Sequence, residues 1–561
     1  MSSLSKSKLA ITRYRETNLG DTNVVIMIRS GLLAALLFLS GGLAAGPVEN
    51  EIQRLSISFD GGGSVLFADA KLDTAVLIPQ FYANRDYALG WYGTLNTEQL
   101  FAELNRGLEQ GFRPTDFNLP LLYELQDAAR LGDPTDIAIF DVAATDAAIK
   151  LIHHIVFGKV DPAKLDDDWN FSKPVIRQEP SAVLNDFIDG EGFSALMARI
   201  NIDVAQYMQL VEVLGRYRDI ENSGGWPVVP DQTVLKPGMS NPAIPVLRER
   251  LLRDGSAQET VTLSTTDALE GRVEIYDDLL VEAVKAFQTR HGLEADGVLG
   301  PRSFASLNRT AKERVDQIRL SLERARWLMH DLDDDFVLVN IAGARTYFAK
   351  SGTVWSTRSV TGSAYRKTPV FRDNIQYMEF NPTWTVPASI FRKDKLARIR
   401  KDPGYLARNN YTVVRSSDRT PVNAASVNWA SDNPGVTLVQ QPGPNNALGL
   451  VKFMFPNEHA VYLHDTNQSG LFDRNERNLS SGCVRLEYPF EFASLLMEGQ
   501  ADWSTERMKA ILESGKTTRI NLDKPVPVLL TYWTAWVEEG NVHFREDPYD
   551  RDAAILDALN R

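Results

Sequence analysis

The sequence predicts a multidomain α+β protein: a helical N-terminal region, a three-helix unit, and a mainly β domain with an insert. Three observations lead there. The chain has 561 residues, too many for one core, since domains usually hold about 100–200 residues. From about 47 to 310 apolar residues recur at helical spacing, with capping residues at the ends of the segments. From about 336 onward short apolar or alternating runs are separated by glycine turns, which is the pattern of strands.

The first 46 residues read as an N-terminal extension and an export signal or anchor. Met27, Ile28 and Arg29 precede the apolar run GLLAALLFL (31–39) and the small-residue segment SGGLAAG (40–46). This order matches a basic start, an apolar core and a cleavage zone near Ala44 or Ala45. Residues 1–26 then lie upstream of the true start. The apolar core is short for a span of about 20 residues, so cleavage is expected; an uncleaved signal would anchor the chain to the inner membrane. Both outcomes place the rest outside the cytoplasm.

Residues 47–235 read as a helical region. Thr97–Leu108 opens with a capping-like TEQL, and Ala143–Val156 carries apolar residues at helical spacing. His153 and His154 are neighbours on that helix and point about 100° apart, so they are assigned structural roles. A Gly- and Pro-rich stretch around 224–242 reads as a linker.

In the next unit Ile244, Leu247, Leu251 and Leu252 space a first helix that stops at Asp254-Gly255. Asp277 is placed to cap a second helix carrying Leu280, Val281, Val284 and Phe287, which stops at Gly292. The turn DGVLGP (296–301) starts a third helix ending at Leu307-Asn308. The run YDDLLVEAVKAFQTRHGLEADGVLGPRSFASLN resembles the three-helix peptidoglycan-binding domain of bacterial wall enzymes, over residues 240–310. The resemblance implies a wall-targeting device without catalytic residues.

A charged helix, Ala311–Asp331, links this unit at 311–335 to the strand pattern. Strands are expected at Phe336–Ile341, Thr346–Ala349, Val354–Thr361, Ile375–Phe380, Leu448–Phe455 and His459–His464. A more helical, polar insert occupies about 388–445, a size that often serves as a lid. The C-terminal segment 499–561 is expected to pack on the helical scaffold or on the β domain.

The chemistry converges on HAVYLHDTNQSGLFDRNERNLSSGCVRLEYP. Side chains alternate along a strand, so Val461 and Leu463 share an apolar face while Tyr462 and His464 share the other; His459 falls on the face away from His464. Cys483, the single cysteine, lies nineteen residues after His464, within Ser480-Ser481-Gly482-Cys483-Val484-Arg485. A thiol of pKa about 8.5 is mostly protonated at neutral pH. A nearby imidazole that takes its proton makes it a nucleophile fit for acyl transfer. Gly482 lets backbone N–H groups approach a developing oxyanion, and the planar fork of Arg485 suits a carboxylate. Read this way, the motif belongs to a cysteine acyltransferase or hydrolase. The alternative is a buried core cysteine beside a satisfied histidine.

The motif HDT…SSGCVR resembles the signature of the L,D-transpeptidase catalytic domain (YkuD-like), a histidine followed after a variable loop by S-x-G-C-x-R. TGSAYRKTPVF (361–371), FNPTWTVP (380–387) and PGPNNALGLVKFMFPN (442–457) extend the resemblance over a catalytic domain at 336–498. Together with the wall-binding unit and the helical region, the chain resembles the large YcbB-like periplasmic enzymes of Gram-negative bacteria. The resemblance implies a helical scaffold domain, a capping subdomain in the insert, Cys483 as nucleophile and His464 as general base. It further implies an oxyanion hole from the backbone of Gly482 and Cys483, and substrate-binding or positioning roles for Arg485, Tyr462 and Ser481. Tyr462 either touches substrate or merely packs. Ser481 stands where many members have a second histidine, so His464 is the one base in this motif. A backbone carbonyl, Ser481 and Asp465 are the candidates for orienting it.

The implied reaction joins peptidoglycan stem peptides. Cys483 attacks the diaminopimelate carbonyl at position three of a donor tetrapeptide, D-alanine leaves, and an acceptor stem's amine resolves the thioester into a 3→3 cross-link. The resemblance implies no metal or cofactor, carbapenems as inhibitors, and wall synthases as possible partners. Water, a free D-amino acid or a lipoprotein amine are competing acceptors, and a non-catalytic wall-binding scaffold is the reading from another class. Composition narrows the field. A net charge of −13 from 60 basic and 73 acidic residues argues against a nucleic-acid binder, which needs a basic face. One cysteine excludes an intramolecular disulfide, and seven scattered histidines argue against a metal site.

Overall fold

Helix and strand patterns meet different fates along the chain, because helices are closed locally and sheets by distant partners. A computed structural model describes residues 46–59, 65–67, 70–72, 74, 76–165, 179–230, 234–256, 274–330, 332–402 and 404–561. The expected signal or anchor lies outside the described residues. Among the described residues, no helix is long and apolar enough to cross a membrane.

The chain divides into two units, one of residues 1–157 and 172–201, the other of 158–171 and 202–561. In the first, the helix Pro134–Phe157 is buried on nearly all faces through Ala138, Phe140, Ala144, Ala148 and Leu151. A helix apolar all round belongs inside a bundle, and Leu95–Glu109, Leu119–Ala129, Pro180–Asp189 and Phe193–Ile200 join its core. The cap of Leu95–Glu109 is Thr94, whose hydroxyl accepts from Asn96 N at 3.2 Å. Thr97, the expected cap, instead lies inside the helix and donates to Trp91 O. His153 packs near Phe157 and His154 against Phe112 and Phe117.

The second unit begins earlier than the linker suggested. Tyr207, Leu210, Val213, Leu214 and Tyr217 of the helix Ala205–Asn222 enter the core of the β domain, so this helix leaves the N-terminal region. The three-helix unit forms at Ile244–Arg253, Asp278–Arg290 and Pro301–Leu307. Asp277 caps its second helix by accepting from Leu280 N at 2.9 Å. Gln288 holds the turn before the third, accepting from Gly297 N at 2.9 Å and donating to Val298 O at 2.9 Å. That clamp explains why the Phe-Gln pair and the Asp-Gly-Val turn occur together. The linker helix, Ala311–Arg326, is closed by a capping box between Thr310 and Glu313 and stops short of Asp331, with Trp327 at its C-cap.

Nine strands, among the described residues, form the sheet that carries the site: β1 (Phe336–Asn340), β2 (Arg345–Lys350), β3 (Thr353–Gly362), β4 (Phe371–Phe380), β5 (Val451–Met454), β6 (Leu463–His464), β7 (Asn478–Ser480), β8 (Val484–Leu486) and β9 (Thr518–Thr531). Their order is β7-β3-β8-β6-β5-β4-β9-β1-β2, and a further β2–β3 pairing joins the order to itself. Strand β9 corrects the expectation for residues 499–561: it lies inside the sheet, antiparallel to β4 and parallel to β1. Strand β6 is shorter than expected because Ala460 has a positive φ of 52°, which ends extended pairing.

The insert is more than helical. Trp384–Thr385, Val436–Gln440 and Tyr411–Arg415 form a three-stranded sheet in the order Trp384–Thr385, Val436–Gln440, Tyr411–Arg415. Its core of Trp384, Val386, Phe391, Leu396, Ile399, Leu438 and Leu448 reaches beyond 388–445 on both sides. The helical part contains a π-helical turn, Phe391–Lys395.

Candidate active site

Strand β8 pairs in parallel with β6, aligning Leu463 with Val484 and His464 with Arg485. This register sets the histidine strand beside the cysteine loop, although nineteen residues separate His464 from Cys483 in the sequence. Val461 and Leu463 are buried in the core, while the Tyr462 and His464 rings meet edge to face at 5.6 Å.

The loop from Ser480 to Cys483 is held by hydrogen bonds to its own backbone and to 361–371. Ser480 Oγ donates to Cys483 O at 2.6 Å and accepts from Gly482 N at 3.1 Å. Gly482 has φ +119°, a conformation L side chains rarely adopt. Although Gly482 is buried, an added Cβ would make only an ordinary contact, with Lys367 O at 3.7 Å. Backbone shape rather than crowding therefore requires glycine. Because Ser480 occupies the Gly482 N–H, the expected two-amide oxyanion hole is not what this loop presents; the Cys483 N–H is left for that role.

Thr368 fastens the same loop from the other side. Its Oγ1 donates to Gly482 O at 2.7 Å and accepts from Gly362 N at 2.8 Å. Its backbone N donates to Tyr549 Oη at 3.1 Å, and Tyr549 in turn donates to Gly362 O at 2.6 Å. Gly362 is needed for the close approach, since a Cβ there would lie 2.6 Å from Thr368 N.

His464 Nδ1 bonds the backbone oxygen of Asp465. A carbonyl only accepts, so Nδ1 carries the proton and Nε2 keeps the lone pair a base needs. Of the three candidates, the carbonyl orients the ring. The Asp465 carboxylate is engaged elsewhere, accepting from Leu450 N at 2.8 Å and Thr466 N at 2.7 Å, and Ser481 Oγ accepts from Arg366 at 2.8 Å. Burial, reinforced by the Arg485 charge, pushes the imidazole down to about 3, although the Asp465 and Leu448 carbonyls favour its protonated form. Burial pushes the Cys483 thiol up, partly offset by hydrogen bonding from Tyr462 and by Arg485. At rest Cys483 is therefore a thiol and His464 a neutral imidazole. The thiol's own contact is with Ala460 O, at 3.7 Å.

Tyr462, whose hydroxyl is pushed well up by burial, lies beside Cys483 and Trp384 of the capping subdomain, so it faces the nucleophile. Arg485 Nη1 donates to Gln468 Oε1 at 2.8 Å. Arg366, Thr368, Trp384, Asp394, Ser480 and Tyr549 were given no role from the sequence. Arg366, Thr368, Trp384 and Ser480 fall inside motif segments that were quoted; nothing local marks Tyr549 or Asp394.

This geometry agrees with the family comparisons. Residues 334–511 match the family model described as L,D-transpeptidase catalytic domain, YkuD. The chain carries an L,D-transpeptidase catalytic domain. Ahead of the transpeptidase domain, residues 76–214 match a family described as scaffold domain, and 241–307 one described as "Putative peptidoglycan binding domain". A protein of Haemophilus influenzae named "Putative L,D-transpeptidase" is 36% identical over 248 residues, 44% of this chain and 50% of that protein. The chain thus aligns with about half the length of this curated relative. Among solved structures, an L,D-transpeptidase from Mycobacterium smegmatis is similar at 11% identity and TM-score 0.16, covering 35% of this chain and 58% of that one. A fused Zn-dependent amidase/peptidase/peptidoglycan-binding protein from Clostridium acetobutylicum is similar at 11% identity and TM-score 0.14, covering 54% and 100%. Overlaps this low carry no argument about the transpeptidase fold.

Proposed function

We propose that this chain forms 3→3 cross-links between peptidoglycan stem peptides through a thioester on Cys483, outside the cytoplasm of a Gram-negative bacterium. The observation that carries the reading is the imidazole of His464, with its Nδ1 proton held on Asp465 O and its strand registered against the cysteine loop. Cys483 Sγ attacks the diaminopimelate carbonyl carbon of the donor as His464 Nε2 takes the thiol proton. The negative oxygen that develops meets the Cys483 N–H and, within reach of the nucleophile, the Tyr462 hydroxyl. The C–N bond then breaks, and the departing D-alanine amine takes the proton from His464. An acceptor amine attacks the thioester, gives its proton to His464, and the thiolate leaves and is reprotonated. One peptide bond replaces another, so no external energy source is required.

The pair ionises only when substrate arrives, because burial disfavours a standing thiolate–imidazolium pair. The peptidoglycan-binding unit supports a wall substrate. Hydrolysis by water, which would make the protein an L,D-carboxypeptidase, uses the same acyl-enzyme. The first test is intact-protein mass spectrometry with a carbapenem and then with a donor tetrapeptide, beside Cys483→Ala. A single adduct on wild type alone, release of D-alanine, and a cross-linked product with an acceptor stem are expected. A folded wild-type protein that forms no adduct with either compound removes the acyl-enzyme and favours a wall-binding scaffold.

A further inference from the structure

The loop between β3 and β4 brings an arginine to the cysteine loop, at Ser481. Arg366 Nη1 donates to Ser481 Oγ at 2.8 Å, two residues before Cys483. Its guanidinium also grips Asp394 of the capping subdomain through both carboxylate oxygens, at 2.7 and 3.0 Å. Asp394 lies in the π-helical turn Phe391–Lys395, and such turns are frequent at functional sites. Neither partner is sealed away: the Arg366 side chain is 28% exposed and that of Asp394 36%. The neighbouring Tyr365 is 98% exposed, and Ser481 itself is exposed.

Resting on the cross-linking reading, we propose that Arg366 is the receptor for a free carboxylate of the donor peptide, with Asp394 occupying it until that carboxylate arrives. A planar two-oxygen anion fits this fork as Asp394 does. The exchange replaces one charge-assisted pair with another, so the guanidinium is never left unpaired. It also releases the capping subdomain from Ser481, coupling substrate arrival to the position of the cap. Arg485 is less suited to the task. It lies beside His464 in the sheet and stabilises the thiolate, and a carboxylate on it would oppose the charge that forms on sulfur.

Two of a donor tetrapeptide's free carboxylates flank the bond that breaks and are the candidates, one on the terminal D-alanine and one on the diaminopimelate side chain. Isothermal titration of full-length Cys483→Ala protein with three peptides separates them: the free acid, the C-terminal amide, and the side-chain-carboxyl amide. Arg366→Gln is expected to weaken the free acid by about tenfold or more. It should change the affinity for one amide little, and that amide names the carboxylate. Asp394→Asn is expected to tighten the free acid severalfold, because it removes the competitor, while Arg366→Lys keeps charge without the fork and falls between. Equal weakening of all three peptides by Arg366→Gln, or loss of affinity in Asp394→Asn, would overturn the assignment and leave a structural latch. Melting temperatures of each variant guard against misfolding. In wild type, binding with Arg366-dependent selectivity but no thioester would refute the cross-linking reading alone. Thioester formation whose acid-over-amide preference ignores Arg366 would refute the receptor alone.

Discussion

Replacing Thr368 with valine keeps the side-chain volume and removes one oxygen. That oxygen serves two buried backbone groups, Gly362 N at 2.8 Å and Gly482 O at 2.7 Å, and Thr368 itself is fully buried. Each group left without a partner costs about 1–3 kcal/mol. The added methyl returns about 1 kcal/mol of apolar burial. The net loss is therefore about 1–5 kcal/mol, roughly 5- to 4,000-fold in the local opening equilibrium. Global unfolding of a multidomain chain is not two-state, so the effect is read locally. Amide hydrogen exchange at Gly362 should lose protection by that factor. Acylation of Cys483 should slow as the Gly482 carbonyl loses its anchor. Thr368→Ser keeps both bonds and should stay within about tenfold of wild type. Exchange at Gly362 within threefold of wild type in the valine variant, or equal losses in valine and serine, would refute the reasoning.

The remaining predictions concern charge, backbone and the helical unit. Because burial sets His464 at about 3 against its ordinary 6.5, the unfolded chain binds that proton first. Its contribution therefore withdraws stability as pH falls from 6.5 toward 3 and has no effect above. The Cys483 alkylation rate should show no step near pH 6.5 and should still climb past pH 9, since burial raises the thiol; a plateau by pH 7 would mean a standing ion pair. Gly482→Ala should keep the fold yet slow acylation by roughly 5- to 150-fold, from about 1–3 kcal/mol of backbone strain at φ +119°. Wild-type acylation by that variant would show that the loop tolerates a side chain. In the helical unit, Asp141 accepts from Gly90 N, Trp91 N and Tyr92 N at 3.0, 2.9 and 2.8 Å and from the Tyr82 hydroxyl at 2.7 Å. Asp141→Asn should destabilise that unit by about 3–5 kcal/mol, seen as faster limited proteolysis near residue 91; unchanged digestion would contradict it.

The features legible in the residues were those closed over a few positions. Asp277 as a cap, the alternation of Tyr462 and His464, and glycine at 482 all follow from backbone geometry within one turn or strand. The cap of the helix Leu95–Glu109 was misplaced by three residues because Thr94 and Thr97 offer the same hydroxyl, and only the start of the helix distinguishes them. Strand β9 escaped notice in TRINLDKPVPVLLT because its pairing with β4 and β1 depends on segments far away in the chain.

The sequence by itself determined the chemistry on offer: one cysteine, a histidine on the strand face that carries Tyr462, and a glycine before the thiol. These are local facts, set by residue type and by the period-two geometry of a strand. The tertiary structure decided how they are used. It committed the Gly482 amide to Ser480, turned the Asp465 carbonyl onto His464, and delivered Arg366 and Asp394 to the cysteine loop from separate segments. The physical reason is that hydrogen-bond partners and local dielectric are set by what packs nearby in space, and neither spacing nor composition records which distant segment that will be.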